Sequence, residues 1–294
     1  MTPVAAGIVD TLCNAFGTER RAAWEAAVAG QELPLKVRSD SDDSFADADA
    51  MVARMDELGI ATVLVVTSDV HHHGSEFDVS SVTSRWEETQ RLVDRFPGRF
   101  AALWGIEPQL GMAGVRRAEG VLAAPWVVGL YLHTHSFDRP FDHRDHYPYY
   151  ALCDRQGVPM MMQAGTSGGR LPSESGKPIG IDRPALYFPD VSFVLSHTGW
   201  PWVDEAVAMA LKFSNVYLGT GSYPPGHWPP ALVDFLRRPG RRKVIFGTNF
   251  PTVGHRQALQ QLKTLQLSDG VCALLMEGNA RSVFTRLNDL NSPS

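Results

Sequence analysis

The chain has 294 residues, a formal net charge of −5, 20% charged and 44% hydrophobic side chains. That balance supplies one large core, argues against disorder, and leaves no basic footprint for nucleic acid or a membrane surface. No run approaches the roughly 18 apolar residues of a membrane span, and Met1 to Gly7 lacks a charged start and apolar run, so a cytoplasmic protein with a small-molecule partner is expected.

The first β-branched, apolar run covers residues 7–13. A polar segment, 38–49, follows as a surface loop and helix cap, leading into a helical pattern over 47–58 with apolar Met51, Met55 and Leu58. Strand patterns then recur at 62–66, 100–105, 127–132, 159–163, 191–196, 216–218 and 243–247, with helical patterns such as 84–96 and 204–213 between them. Strictly alternating β and α elements imply a parallel sheet with helical crossovers, and eight repeats close a barrel more naturally than they extend an open sheet. The expected fold is α/β, a (β/α)8 TIM barrel, with residues 1–294 as a single domain. No GxGxxG or GxxxxGK[ST] follows the first strand, which weakens dinucleotide and P-loop readings. Cys13, Cys153 and Cys272 form an odd, widely spaced set without CxxC, fitting a reducing compartment; Cys153 and Cys272 fall in helical patterns and are expected in the core.

In such barrels chemistry is built at the carboxyl ends of the strands, where the βα loops converge above a packed interior. Here those ends carry Asn14, His71–His73, Glu107, His133 and His135, Gln163, His197, Tyr223 and Asn249.

Five stretches in order resemble the amidohydrolase-related family, relatives of aminocarboxymuconate-semialdehyde decarboxylase and of the metal-independent pyrone-dicarboxylate lactonase. They are Ile-Val-Asp-Thr-Leu-Cys-Asn at strand one, Val-Gly-Leu-Tyr-Leu-His at strand four, and Phe-Pro-Asp-Val-Ser-Phe-Val-Leu-Ser-His-Thr-Gly-Trp-Pro-Trp at strand six. Phe-Gly-Thr-Asn-Phe-Pro at strand eight and Gly-Asn-Ala-Arg-Ser-Val-Phe near the end complete the set. The resemblance implies a zinc site with a His-x-His pair on strand one, a histidine on strand five, another on strand six and an aspartate on strand eight. This chain has Leu12 and Asn14, Gln163, His197 and Asn249 at those places. Zinc wants three or four nitrogen, sulfur or carboxylate ligands. One histidine among amides and an apolar side chain leaves that site expected to be empty, with no cofactor, and Asn249 cannot serve as the family's base because it takes no proton.

The expected site is therefore a neutral, amide-lined pocket. His197 and His133 are the candidates for moving protons; Asn14, Gln163 and Asn249 position substrate. His133 and His135 alternate with Leu132 and Thr134 and are expected to share one face of strand four; His135 belongs either to the site or to its loop. Residues 164–170 form a Gly-rich turn whose N–H groups, with Arg170, offer a carboxylate site, the rival reading being a plain loop. Trp200, Trp202, Tyr223 and Trp228 are placed to wall an aromatic substrate, or to pack loops. Cys13 should point away from Leu12 and Asn14, which argues against a nucleophile. His143, His146, His227 and His255 are expected at the surface.

The reading from sequence is a metal-independent enzyme acting on a small carboxylated or cyclic molecule, by a lyase, isomerase or cyclase step or by lactone or ester hydrolysis. Two rivals stand beside it. One is a metalloenzyme, a hydrolase or decarboxylase, whose ion has moved to His133, His135, His197 and one of His71–His73. The other is a non-catalytic ligand-binding barrel. Relatives are often dimers, and the Trp-rich loops suit a homodimer interface.

Overall fold

Each strand is a short apolar run whose alternate side chains face either the barrel axis or the surrounding helices, and the two faces separate cleanly. In the computed structural model, which describes residues 7–18, 46–69, 83–167 and 171–290, the strands are β1 Ile8–Cys13, β2 Ile60–Thr67, β3 Phe100–Gly105, β4 Val127–Leu132, β5 Met160–Gln163, β6 Phe193–Ser196, β7 Val216–Gly219 and β8 Val244–Ile245. They are all parallel, in the order β1 to β8. Val9, Leu64, Val66, Ala101, Leu103, Val128, Met161, Val194 and Ile245 pack together inside. Their neighbours Ala102, Leu130, Met160, Met162, Leu195 and Leu218 pack outward against the helices.

Between the strands run α1 Ala48–Leu58, α2 Trp86–Arg95, α3 Met112–Val121, a single turn α4 Thr134–Phe137, α5 Tyr147–Gln156, α6 Asp182–Tyr187, α7 Val203–Lys212, α8 Pro230–Arg237 and α9 His255–Thr264. Their boundaries follow local chemistry. Asp47 caps α1 by accepting the Ala50 N–H at 2.9 Å, and Gly59 ends it at φ 70°, a conformation that favours glycine. Two short helices, Asp269–Ala273 and Asn279–Val283, end the described fold. Ala280, Val283, Phe284 and Leu287 seal the interior cluster. Asn279 and Arg286 donate to carbonyls where β8 and β4 begin, so this segment closes the amino-terminal end and leaves the carboxyl end for a site.

β8 and β1 close the ring without a regular ladder. Thr11 N–H donates to Phe246 O at 3.2 Å, Asn249 N–H to Leu12 O at 2.8 Å and Asn14 N–H to Phe250 O at 2.8 Å. Among the described residues no helix is long and apolar enough to cross a membrane.

The expected strand positions hold, and β3 and β4 match to the residue, whereas β8 shrinks from 243–247 to Val244–Ile245 because its end turns across β1. Three expectations change. His133 and His135 do not share a strand face: β4 stops at Leu132, His133 caps α4 and His135 lies within it. His255 is fully buried because it pairs with Asp10, and His146 is fully buried among the aromatics at the start of α5, rather than at the surface. Most of the 38–49 loop lies outside the described residues.

Candidate active site

Among the residues at the mouth that adopt left-handed backbone conformations without being glycine are His197 (φ 64°) after β6, Ser222 (φ 69°) after β7 and Asn249 (φ 56°) after β8. Such residues cost free energy and concentrate where geometry serves a site. Their side chains meet. Asn249 Nδ2 donates to Ser222 Oγ at 2.6 Å and faces His197 Nε2 at 3.4 Å, while its Oδ1 accepts from Asn14 Nδ2 at 2.9 Å.

The hydroxyl of Ser196 fixes the proton on His197. It donates to Met162 O at 3.0 Å, so its oxygen must accept the hydrogen from His197 Nδ1, 2.8 Å away. Nε2 then carries the lone pair, which the Asn249 N–H faces. The result is a chain of donors running one way, from Asn14 through Asn249, His197 and Ser196 to the carbonyl of Met162 on β5. Burial holds the His197 pKa down to about 3, with the His135 imidazole adding to the effect, so His197 is neutral at ordinary pH.

His135 is anchored in the opposite tautomer. Its Nε2–H donates to Gly165 O at 2.9 Å, and its buried Nδ1 has no hydrogen-bond partner among the described residues. Burial lowers its pKa too. Gly176 packs flat against this ring, where a Cβ would lie 2.5 Å from Nε2. His133 stands 6.1 Å from His135, centroid to centroid, and its Nδ1 pairs with the Ser136 hydroxyl at 2.5 Å.

Gln163 is buried at the end of β5, in register with Ser196. Trp200 is 46% exposed and its ring lies 6.1 Å from that of Tyr223, whose hydroxyl bonds Thr166; together they form an aromatic rim. Trp228 instead packs the loop, its indole N–H donating to Tyr223 O. Arg170 and His71–His73 lie outside the described residues. Cys13 packs with Val63, Val65 and Phe100, opposite to Leu12, and burial raises its thiol well above the usual range.

Sequence reasoning missed Ser196, Ser222 and the buried Asp10. The strand-end positions of the two serines were visible, but serine is too common there to single out, and Asp10, inside β1, gains meaning only from its partners across the barrel seam.

A divalent ion at the family position does not fit these residues. Leu12 packs in the interior cluster, 2.8 Å from where a Cβ on Gly221 would sit. The carboxamide of Asn249 turns its N–H, not its oxygen, toward His197. Among the described residues no group of three or more His, Cys, Asp or Glu is gathered as an ion would need.

Comparison with known proteins agrees with the barrel. The sequence profile described as Amidohydrolase matches residues 81–286. No curated protein matches the sequence. Among solved structures, an uncharacterised TIM-barrel protein from Bordetella bronchiseptica is 22% identical, with 95% of this chain and 99% of that one covered and a TM-score of 0.71. The 5-carboxyvanillate decarboxylase of Sphingomonas paucimobilis is 18% identical, with 96% and 99% covered and a TM-score of 0.63. A dihydroxybenzoic acid decarboxylase from Polaromonas sp. JS666, solved with manganese and the inhibitor 2-nitroresorcinol, is 17% identical, with 95% and 97% covered and a TM-score of 0.64.

Proposed function

The chain belongs to the amidohydrolase family and is an enzyme of hydrolase or lyase type; from that premise we propose that it decarboxylates a small hydroxylated aromatic acid, with His197 as the group that carries the proton. The observation behind this reading is the one-way donor chain that leaves His197 Nε2 as an unprotonated, buried acceptor at the barrel mouth, touched among the described residues only by the long contact from Asn249.

A phenolic hydroxyl takes the Nε2 lone pair in place of the 3.4 Å contact from Asn249 Nδ2, which keeps its shorter bond to Ser222 Oγ. A proton that moves onto Nε2 makes a buried imidazolium, a strong acid at a pKa of about 3. It passes on to the ring carbon that bears the carboxylate. The C–C bond then breaks, its electron pair restores the aromatic ring and the phenolate, and carbon dioxide leaves; solvent returns one proton to the phenolate. Asn249 and Asn14 hold the acceptor in place, Gln163 and Arg170 orient the carboxylate, and Trp200 with Tyr223 covers the ring.

A second reading has its own support. The manganese in the Polaromonas decarboxylase favours the metalloenzyme with an ion moved to His133, His135, His197 and one of His71–His73 over a metal-free enzyme. The donor set at the strand ends opposes an ion at the family position, and among the described residues His133, His135 and His197 are not gathered as an ion would need, so a relocated ion would have to draw them together.

The deciding experiment follows carbon dioxide release from 5-carboxyvanillate and 2,6-dihydroxybenzoate, with metal content measured by elemental mass spectrometry on protein purified without a metal-affinity tag. Turnover without stoichiometric metal, abolished in His197→Gln, supports the metal-free decarboxylase. Stoichiometric metal whose removal abolishes turnover establishes the second reading. Absence of release from both acids, with or without added manganese, overturns decarboxylation of this class.

A further inference from the structure

Asp10 and His255 form a buried pair that no step above uses. The carboxylate Oδ2 accepts from His255 Nε2 at 2.8 Å, and both side chains are fully buried. The His255 ring stacks on Phe250 at 4.6 Å and 5°, and Arg54 sits 5.3 Å from the centre of the Phe250 ring. His255 Nδ1 is buried without a partner among the described residues. Buried ion pairs rarely repay their desolvation, and well-packed apolar residues of similar volume usually serve stability as well or better. An unpartnered buried nitrogen adds to that cost.

The remaining contacts of Asp10 show what the pair holds. Oδ1 accepts the Thr248 N–H at 2.9 Å and the Leu12 N–H at 3.2 Å, and Oδ2 accepts the Thr248 hydroxyl at 2.5 Å. Thr248 Oγ1 in turn accepts the Phe250 N–H at 3.0 Å, bridging Asn249. The residues on either side of Asn249 are thus tied, directly or through one hydroxyl, to a single carboxylate on β1. Asn249 is the residue in the left-handed region, and its amide faces His197.

We propose that Asp10 and His255 are positioning residues: the pair clamps the Thr248–Asn249–Phe250 turn so that the carboxamide of Asn249 presents its N–H to His197 and its oxygen to Asn14. The inference rests on the reading of Asn249 and His197 as the site. Its first readout needs no substrate and survives failure of the decarboxylase reading.

The test compares full-length Thr248→Val, which keeps shape and removes the hydroxyl, with Thr248→Ser, which keeps the hydroxyl, and with Asp10→Asn. Nitrogen NMR of histidine-labelled free protein reads both ring nitrogens of His197, and thermal unfolding reads stability. The expected result is that Thr248→Val and Asp10→Asn shift the His197 Nε2 signal, which loses the Asn249 N–H while Ser196 keeps the proton on Nδ1, whereas Thr248→Ser retains the wild-type signal. Turnover, where present, should fall on the order of a hundredfold in the first two, the size a small misplacement can cost. If Thr248→Val keeps the wild-type His197 pattern and changes only the melting temperature, the pair is structural and the inference fails. Should Asp10→Asn not fold, the two Thr248 variants decide alone.

Discussion

The amide nitrogen of Asn249 stands 3.4 Å from Nε2 of His197, so the imidazole faces a donor where an aspartate would present an acceptor. Asn249 therefore reinforces at Nε2 the tautomer that Ser196 sets at Nδ1. In Asn249→Asp the carboxylate has no hydrogen to offer, and His197 should gain a proton on Nε2, its pKa rising from about 3 toward the ordinary histidine range. Nitrogen NMR across a pH titration checks this. A His197 that stays in its single neutral tautomer above pH 4 in the variant would sink it.

Stability should fall on mild acidification. Burial lowers His197 to about 3 and His146 to about 4, whereas both lie near 6.5 in the unfolded chain. Between those values the unfolded state binds more protons, so the contribution is complete above roughly pH 6.5 and is lost as pH drops toward 4. Each histidine then withdraws about 2 kcal/mol between pH 7 and pH 5. Urea unfolding at the two pH values measures the loss, and His146→Phe should reduce it by about half if the fold accommodates the ring. Equal stability at pH 7 and pH 5 would contradict the burial of these side chains.

Gly176→Ala should disturb the site through His135 and its Gly165 anchor. The added Cβ meets Gly165 O and lies 2.5 Å from His135 Nε2, so the imidazole must leave its carbonyl anchor. The expected outcome is a loss of turnover or ligand affinity of about tenfold or more, with a shift of the His135 ring signals. Unchanged affinity with shifted signals would remove His135 from the substrate-binding set.

Alkylation should separate the three cysteines. Cys13 and Cys153 are buried and their thiols are raised by that burial, whereas Cys272 is only partly covered. Iodoacetamide at pH 8 should mark Cys272 first in the native protein, with Cys13 and Cys153 reacting after unfolding. Rapid native labelling of Cys13 would revive the nucleophile set aside above.

The sequence determined the barrel because the alternation of apolar faces and the glycine and aspartate punctuation are local: β3 and β4 end where their runs end, and Asp47 caps α1 where the polar segment stops. It also determined that the strand ends carry Asn14, Gln163, His197 and Asn249. Tertiary structure decided how those groups are wired. Asp10 and Thr248 lie 238 residues apart, and only closure of β8 on β1 brings them together. That closure buried His255, and the turn after β4 moved His135 off the strand and onto Gly165. The tautomer of His197 follows from the adjacent Ser196 hydroxyl, which is committed to Met162 O on β5, and that of His135 from Gly165 O just after β5. A hydrogen-bond direction depends on which partner arrives from across the barrel, and that information is nonlocal.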